Sequence, residues 1–401
     1  MTTNKQKVDK VPNLRFPGFE GEWESKKLDS ISEFINIKIP SESLSIENYI
    51  STENILQNFE GITTASSVPS NINVTSFKDG DILMSNIRPY LKKVWKATKA
   101  GGCSSDVLVF RKNETCLSEY LYYLIANDNF INYVMIAAKG VKMPRGDKQQ
   151  IQQYLISLPS ICEQQKIAAF LSLIDERISR LTKIIEGLKS FKSEVINKIF
   201  RQQLRFKDDS GNDFPDWQTK KIGDITTVVN NRNKNNEKLP VYSINNKLGF
   251  VPQNVQFEGI DSDSRGYDIQ LYKIINKNTF AYNPARINVG SIGYSGNLEN
   301  IIVSSLYVCF KADNSINDYF LFYYLKTELF NKDVLKNVEG GVRDYLFYEN
   351  FARIIFSIPC VEEQTRIASF LSSIDEKIET ENQILNQYKN QKAYLLQNMF
   401  V

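Results

Sequence analysis

The sequence predicts an α+β protein: two mixed α/β globular domains separated by a long antiparallel two-helix coiled coil, in a pseudo-twofold internal repeat. Three observations predict it. A twenty-residue stretch recurs 200 positions further on. Apolar residues within and after each copy follow a heptad. The segment ahead of each copy carries short β-rich runs broken by turn signals.

An internal repeat organises the chain, and such a repeat decides the fold. Residues 157–178 read SLPSICEQQKIAAFLSLIDERI and residues 357–378 read SIPCVEEQTRIASFLSSIDEKI. Of the twenty pairs from Pro159/Pro359 to Ile178/Ile378, twelve are identical, among them Glu163, Gln164, Ser172 and Asp175. Weaker echoes flank this block. Trp23-x-x-Lys26-Lys27-Leu28-x-x-Ile31 matches Trp217-x-x-Lys220-Lys221-Ile222-x-x-Ile225, and Ser104 to Arg111 resembles Ser304 to Lys311. Between these anchors the halves diverge: Asp81 to Tyr90 has little in common with Thr279 to Arg286. A common frame thus carries two different surfaces.

Each block opens a long helix. Pro159 and Ser160-x-x-Glu163 form a helix start, read as a capping box in which the serine accepts from the first turn and the glutamate reaches back. The seam of the first helix runs through Ile167, Leu171, Ile174, Ile178, Leu181, Ile185 and Leu188, then Val195 and Ile199, with Lys192 interrupting it. The second runs through Ile367, Leu371, Ile374, Ile378, Leu385, Tyr388 and Leu395, then Met399, with Glu381 and Lys392 interrupting. Each helix would cover about 37 residues, roughly 55 Å. A seam of that length needs a partner, and the other copy packed antiparallel supplies one. Polar seam residues such as Glu381 are expected to set register. The alternative is that each helix packs only on its own domain.

Ahead of the helices, strands are expected at Ile82 to Ser85, Val107 to Phe110, Ile301 to Val303 and Tyr307 to Phe310. The tyrosine-rich runs Glu119 to Leu124 and Asp318 to Leu325 read as helices whose rings fill the core. The resulting division is residues 1–156 for the first domain, 157–203 for the first long helix, 204–356 for the second domain and 357–401 for the second helix.

Composition narrows function. Histidine is absent, which excludes Ser-His-Asp and Cys-His nucleophile systems and His-ligated metals. The five cysteines are scattered and never form C-x-x-C, so neither a disulfide framework nor a zinc site is expected. No uncharged apolar run is long enough for a membrane span, and Met1 to Lys10 is polar and lysine-rich, so a cytoplasmic protein is expected. No G-x-x-x-x-G-K-[ST] and no helix-opening G-x-G-x-x-G occurs. Pro215-Asp216 lacks the acidic-x-Lys of a nuclease, and Asn283-Pro284-Ala285-Arg286 shares only the first half of the tetrapeptide that grips a flipped adenine. No catalytic, cofactor or metal residue is assigned.

The net charge of +3 is mild, yet locally the chain reaches +4 over 78–99, +3 over 139–153 and +4 over 218–247. Such patches suit phosphate. Arginine forks pair with guanine and asparagine amides with adenine, while lysines and tyrosines reach phosphates. On those grounds the candidate DNA contacts in the first half are Asn86, Arg88, Tyr90, Lys92, Lys93, Lys142, Arg145 and Lys148. In the second half they are Asn245, Asn246, Lys247, Arg265, Tyr282, Arg286, Arg343 and Tyr345. Turn residues and solvated charges are the alternative reading of each.

These residues resemble the specificity subunit of Type I restriction-modification enzymes, over nearly the whole chain. The resemblance is carried by Leu14-Arg15-Phe16-Pro17-Gly18-Phe19-x-Gly21-x-Trp23, by Asp81 to Tyr90, and by Pro-x-x-x-Glu-Gln-x-(Lys/Arg)-Ile-Ala-x-Phe-Leu at 159–171 and again at 359–371. It implies two target-recognition domains, each reading one block of double-stranded DNA, and an antiparallel helical spacer that sets the gap. It implies modification subunits that methylate adenine with S-adenosylmethionine, and restriction subunits that add ATP-driven translocation and cleavage. None of those cofactors would bind this chain, which would be non-catalytic. Two rivals stand beside it: a coiled-coil adaptor that binds proteins without DNA specificity, and a methyltransferase in its own right.

Overall fold

The structure is a computed structural model that describes residues 10–256, 268–338 and 345–401. Two compact units emerge, residues 1–183 with 382–401 and residues 184–381. Each therefore holds one globular domain and part of both long helices. The helices run Ile161–Phe200 and Val361–Met399, 40 and 39 residues. Among the described residues no helix is long and apolar enough to cross a membrane.

Each domain begins with a short antiparallel ribbon. Glu24–Lys27 pairs with Leu155–Leu158, and Gln218–Lys221 with Ile355–Ile358. This is the physical content of the repeated Trp-x-x-Lys-Lys pattern. The lysines sit on the ribbon, while Trp23, Leu28 and Ile222 fall into the core. The ribbon ties the start of each domain to the strand that leads into its long helix.

A four-stranded antiparallel sheet follows. Its order is Ser32–Phe34, Val107–Lys112, Ile82–Ser85, Val94–Lys96 in the first domain. In the second it is Thr226–Val228, Val308–Ala312, Phe280–Tyr282, Ile292–Tyr294. Side chains alternate across a strand, and both faces of this sheet are covered. Ile82, Met84, Leu108 and Phe110 face a core shared with helices Ser118–Ile125 and Asp128–Ile136. Leu83, Val107 and Val109 face a second cluster with Ile50 and Phe77. Phe280, Tyr282 and Phe310 against Ala281 and Cys309 repeat that division in the second domain. Tyr120, Tyr123, Tyr323 and Tyr324 are buried, as the tyrosine-rich helices were expected to be.

The second sheet of each domain is where the copies part. Three strands are common: Tyr49–Ile50, Gly101–Cys103 and Asn73–Phe77 correspond to Val241–Asn245, Ile301–Val303 and Lys273–Ile275, with the first pair parallel and the next antiparallel. The fourth strand lies on opposite edges. In the first domain Lys38–Pro40 pairs with Asn73–Phe77. In the second, Gly249–Pro252 forms a hairpin with Val241–Asn245.

The residues common to both copies are those that bind domain to helix. Glu163 accepts from Arg15 Nε and Nη2 at 2.8 and 2.9 Å and from Trp23 Nε1 at 3.2 Å. Glu363 does the same with Arg205 at 2.7 and 2.8 Å and Trp217 at 3.2 Å. Gln164 accepts from the Leu117 N–H and donates to the Thr115 and Pro159 carbonyls. Gln364 repeats this with Asn317, Ser315 and Pro359. This corrects the capping-box reading. Ser160 Oγ does accept from the Glu163 N–H at 3.4 Å. The Glu163 carboxylate, however, serves a half-buried arginine and a buried tryptophan rather than its own helix start.

Within each unit the long helices run antiparallel. In the first, Ile167, Leu171 and Ile174 share a core with Leu396, Met399 and Phe400, flanked by Ile178, Tyr388 and Leu395. In the second, Ile367, Leu371 and Ile374 meet Val195, Ile199 and Phe200, flanked by Ile378. Ile185 is buried, and Leu181, Leu188 and Leu385 are half-buried. The interrupting lysines are paired across the helices. Lys392 Nζ meets Asp175 at 2.6 Å, and Lys192 Nζ meets Asp375 at 2.6 Å. The same aspartates accept from Tyr123 and Tyr323, both at 2.8 Å, and each lysine lies over the tyrosine ring. Glu381 is buried in the seam and its ion pair is to Lys377 on its own helix.

The first unit is closed by the end of the chain. The Leu14 N–H donates to the Asn398 carbonyl at 2.9 Å, and Phe400 stacks on Tyr120 at 5.3 Å. In the second unit Phe200 takes that place beside Phe320 and Trp217, and the chain simply continues into the domain.

Candidate nucleic-acid interface

The two basic segments of the first domain come together although they lie far apart in the chain. The loop after strand Ile82–Ser85 zips onto residues 144–146. The Arg88 N–H donates to the Pro144 carbonyl at 2.8 Å, the Gly146 N–H to the Asn86 carbonyl at 3.3 Å, and Ile87 bridges Arg145. Arg145 and Lys139 exchange two further backbone bonds, each 2.9 Å. Gly146 has no side chain for a reason: a Cβ there would stand 2.8 Å from Val134 and 2.9 Å from Asn86 Oδ1.

This paired loop is strained and under-satisfied. Arg88 has φ +51° and ψ +60° immediately before Pro89, and Lys92 has φ +55°. Left-handed backbone costs a non-glycine residue about 1–2 kcal/mol, and a following proline restricts it further. Asn86 Oδ1 and Arg88 Nε are buried without hydrogen-bond partners among the described residues. Strain and unmet polar atoms on one loop are the pattern of a binding segment. Tyr90, Lys142, Arg145 and Lys148 are exposed nearby in sequence. Arg145 pairs with Asp106 at 3.1 Å and Lys92 with Asp128 at 2.8 Å. Lys93 corrects its expectation. It is half-buried and its Nζ donates to the Thr52 carbonyl at 2.6 Å, so it ties the loop to its own domain, and burial lowers its pKa.

The second domain gathers different residues at the corresponding place. Ser291 Oγ donates to the Ile244 carbonyl at 2.9 Å, which draws the Asn245–Gly249 turn toward the loop 283–290. Asn245 Oδ1 accepts the N–H groups of Lys247 and Leu248, leaving Asn246 and Lys247 exposed at the tip. Asn283 Oδ1 likewise accepts from Ala285, and Arg286 is exposed. The Leu346 N–H reaches the Pro284 carbonyl at 3.1 Å, bringing the exposed Tyr345 to the same loop. Tyr345 stacks on Phe347 with ring planes 4° apart.

Tyr282 is the clear correction. It is wholly buried, because strand alternation places it with Phe280 on the inner face, edge-on to Phe310 and tilted against Phe351. It cannot reach a ligand. Arg265 and Arg343 lie outside the described residues.

One residue of the interface was missed. Lys326 Nζ donates to the carbonyls of Ile292 at 2.8 Å, Gly290 at 3.0 Å and Asn246 at 3.4 Å. Burial brings its pKa down to about 8. The available signal was a lone lysine following the apolar run Phe320 to Leu325. The cysteines offer no nucleophile here: burial pushes the thiols of Cys103, Cys116 and Cys309 up to about 12, leaving them protonated at neutral pH. Among the described residues no cluster of three Cys, Asp or Glu could hold a metal.

The chain is similar to known proteins over most of its length. The model of the Type I restriction modification DNA specificity domain matches residues 20–190 and again 215–390. The MjaVIII specificity subunit of Methanocaldococcus jannaschii is 24% identical over 98% of this chain and 94% of its own length. The MjaIX specificity subunit of that organism is 24% identical over 71% of this chain and 68% of its own. Among solved structures, the Type I restriction-modification S subunit from M. genitalium aligns with TM-score 0.60 at 16% identity, covering 98% of this chain and 99% of the other. A chain from a structure on assembly and conformational transition of the type I R-M system aligns with TM-score 0.56 at 17% identity, covering 93% and 96%. With two copies of the domain filling most of its length, this chain belongs to the Type I restriction-modification DNA specificity family.

Proposed function

We propose that this chain is the sequence-reading subunit of a Type I restriction-modification complex, in which each domain reads one half of an asymmetric, split DNA target. The domains are residues 1–156 and 204–356, and the helical segments 157–203 and 357–401 are the spacer on which modification and restriction subunits assemble. It works in the cytoplasm and leaves methylation and cleavage to those partners. The observation that carries the reading is the loop–loop junction of the first domain, with Asn86, Arg88 and Arg145 brought together by backbone bonds and two of their polar atoms unmet. The second domain supports it with a different set at the equivalent loops: Asn246, Lys247, Arg286 and Tyr345.

On this reading Arg88, Asn86 and Arg145 contact base edges, and Tyr90, Lys92, Lys142 and Lys148 contact phosphates. Binding to duplex DNA should then weaken by about a thousandfold between about 50 and 200 mM salt, because each neutralised phosphate releases counterions. Salt-insensitive binding, or none, would leave the protein-adaptor reading instead. Arg88→Ala should cost about 1–3 kcal/mol of discrimination at one position of the first half-target, read by competition with single-base variants. A uniform loss across all sequences would make Arg88 a phosphate contact rather than a reader.

A further inference from the structure

Lys326 has no counterpart in the first copy. At the 200-residue offset its place is taken by Ala126, which is fully buried. The two residues follow corresponding helices, Ser118–Ile125 and Asp318–Tyr324. Among the described residues no carboxylate pairs with Lys326. Its three short contacts are backbone carbonyls, and the Phe322 ring lies 5.7 Å from Nζ. An ammonium has three donors and no acceptor, so three carbonyls meet its needs, with no side-chain partner required.

The carbonyls belong to the two candidate reading loops. Asn246 is at the tip of the turn between Val241–Asn245 and Gly249–Pro252. Gly290, with φ +87°, ends the loop that carries Arg286, and Ile292 begins the next strand. The turn exists only because the second domain adds its fourth strand beside Val241–Asn245. The first domain adds its fourth strand on the opposite edge and has no such turn to hold. The lysine and the turn therefore occur together, in one copy and not the other.

We infer that Lys326 is a positioning residue for target reading by the second domain, clamping the Asn245–Gly249 turn to the Arg286 loop so that Asn246, Lys247 and Arg286 face DNA in one geometry. The inference rests on the DNA-reading function proposed above. Lys326 itself touches no base. It acts through the loops, as the supporting shell of a recognition site does. Ser291 holds a second tie between the same loops, so loss of the ammonium loosens them without unfolding the domain.

The test uses the full chain in complex with its modification partners, and the target read from the host's adenine methylation. Binding is measured to the cognate duplex and to duplexes altered in the first or the second half only. Lys326→Met should lower discrimination against an altered second half by about tenfold or more, with first-half discrimination within about twofold of the parent. Lys326→Arg, which keeps the donors, should restore most of it. Hydrogen exchange on the same variants should speed up in 245–249 and 286–292 alone. Unchanged second-half discrimination in the Met variant overturns the inference, and so does an equal loss at both halves or exchange that rises across the whole domain. A parent complex that prefers neither cognate half refutes the DNA-reading function itself, and the inference with it.

Discussion

Replacing Glu363 by alanine is expected to destabilise the second unit by about 2–3 kcal/mol, the cost of taking the counter-charge from a half-buried guanidinium and the acceptor from an indole N–H. The carboxylate is wholly buried and accepts three bonds, two from Arg205 and one from the Trp217 indole. Its removal leaves the guanidinium and the indole N–H without that acceptor at the junction between domain and helix. Glu163→Ala should act alike on the first unit, where Arg15 and Trp23 form the same group. Glutamine restores an acceptor for the indole but no charge for the arginine, so it should recover only part of the loss. Denaturant unfolding followed by tryptophan emission reads the effect directly, since Trp23 and Trp217 each touch the altered group. A cost below about 1 kcal/mol, the range of an exposed ion pair, would contradict this account of why the Glu-Gln pair recurs in both copies.

What the sequence made legible was whatever repeats. The heptads, the strand at Ile82 to Ser85 and the tyrosine-rich helices follow from local periodicity, and the structure has them where the spacing puts them. The role of Glu163 was not legible in that way. Its partners Arg15 and Trp23 are 148 and 140 residues distant, and a local capping box accounts for the same letters. Lys192 and Lys392 read as flaws in a seam, since only the fold places them opposite Asp375 and Asp175. Tyr282 was misread because an aromatic beside Asn283 and Arg286 suits a binding loop, while its burial depends on which face of the strand looks inward. The junction of residues 86–88 with 144–146 is made by backbone groups, which leave no side-chain signature. The opposite placement of the fourth strands, and the lysine that accompanies one of them, come from the segments in which the copies differ.

The second large effect concerns the proposed division of labour. Exchanging residues 214–356 for the matching segment of another family member replaces every candidate reader of the second domain together with Lys326. Arg205, Glu363 and both long helices stay, so the Arg205–Glu363 tie of domain to helix is kept, while Trp217 and the Gln364 partners Ser315 and Asn317 come from the donor. The whole second half of the target should change, and the first half should not. Genome-wide mapping of methylated adenines in a host carrying the exchanged chain with its modification partners measures both halves at once. The account predicts a motif that keeps its first block and takes its second from the donor; an unaltered motif, or one changed in both blocks, would contradict it.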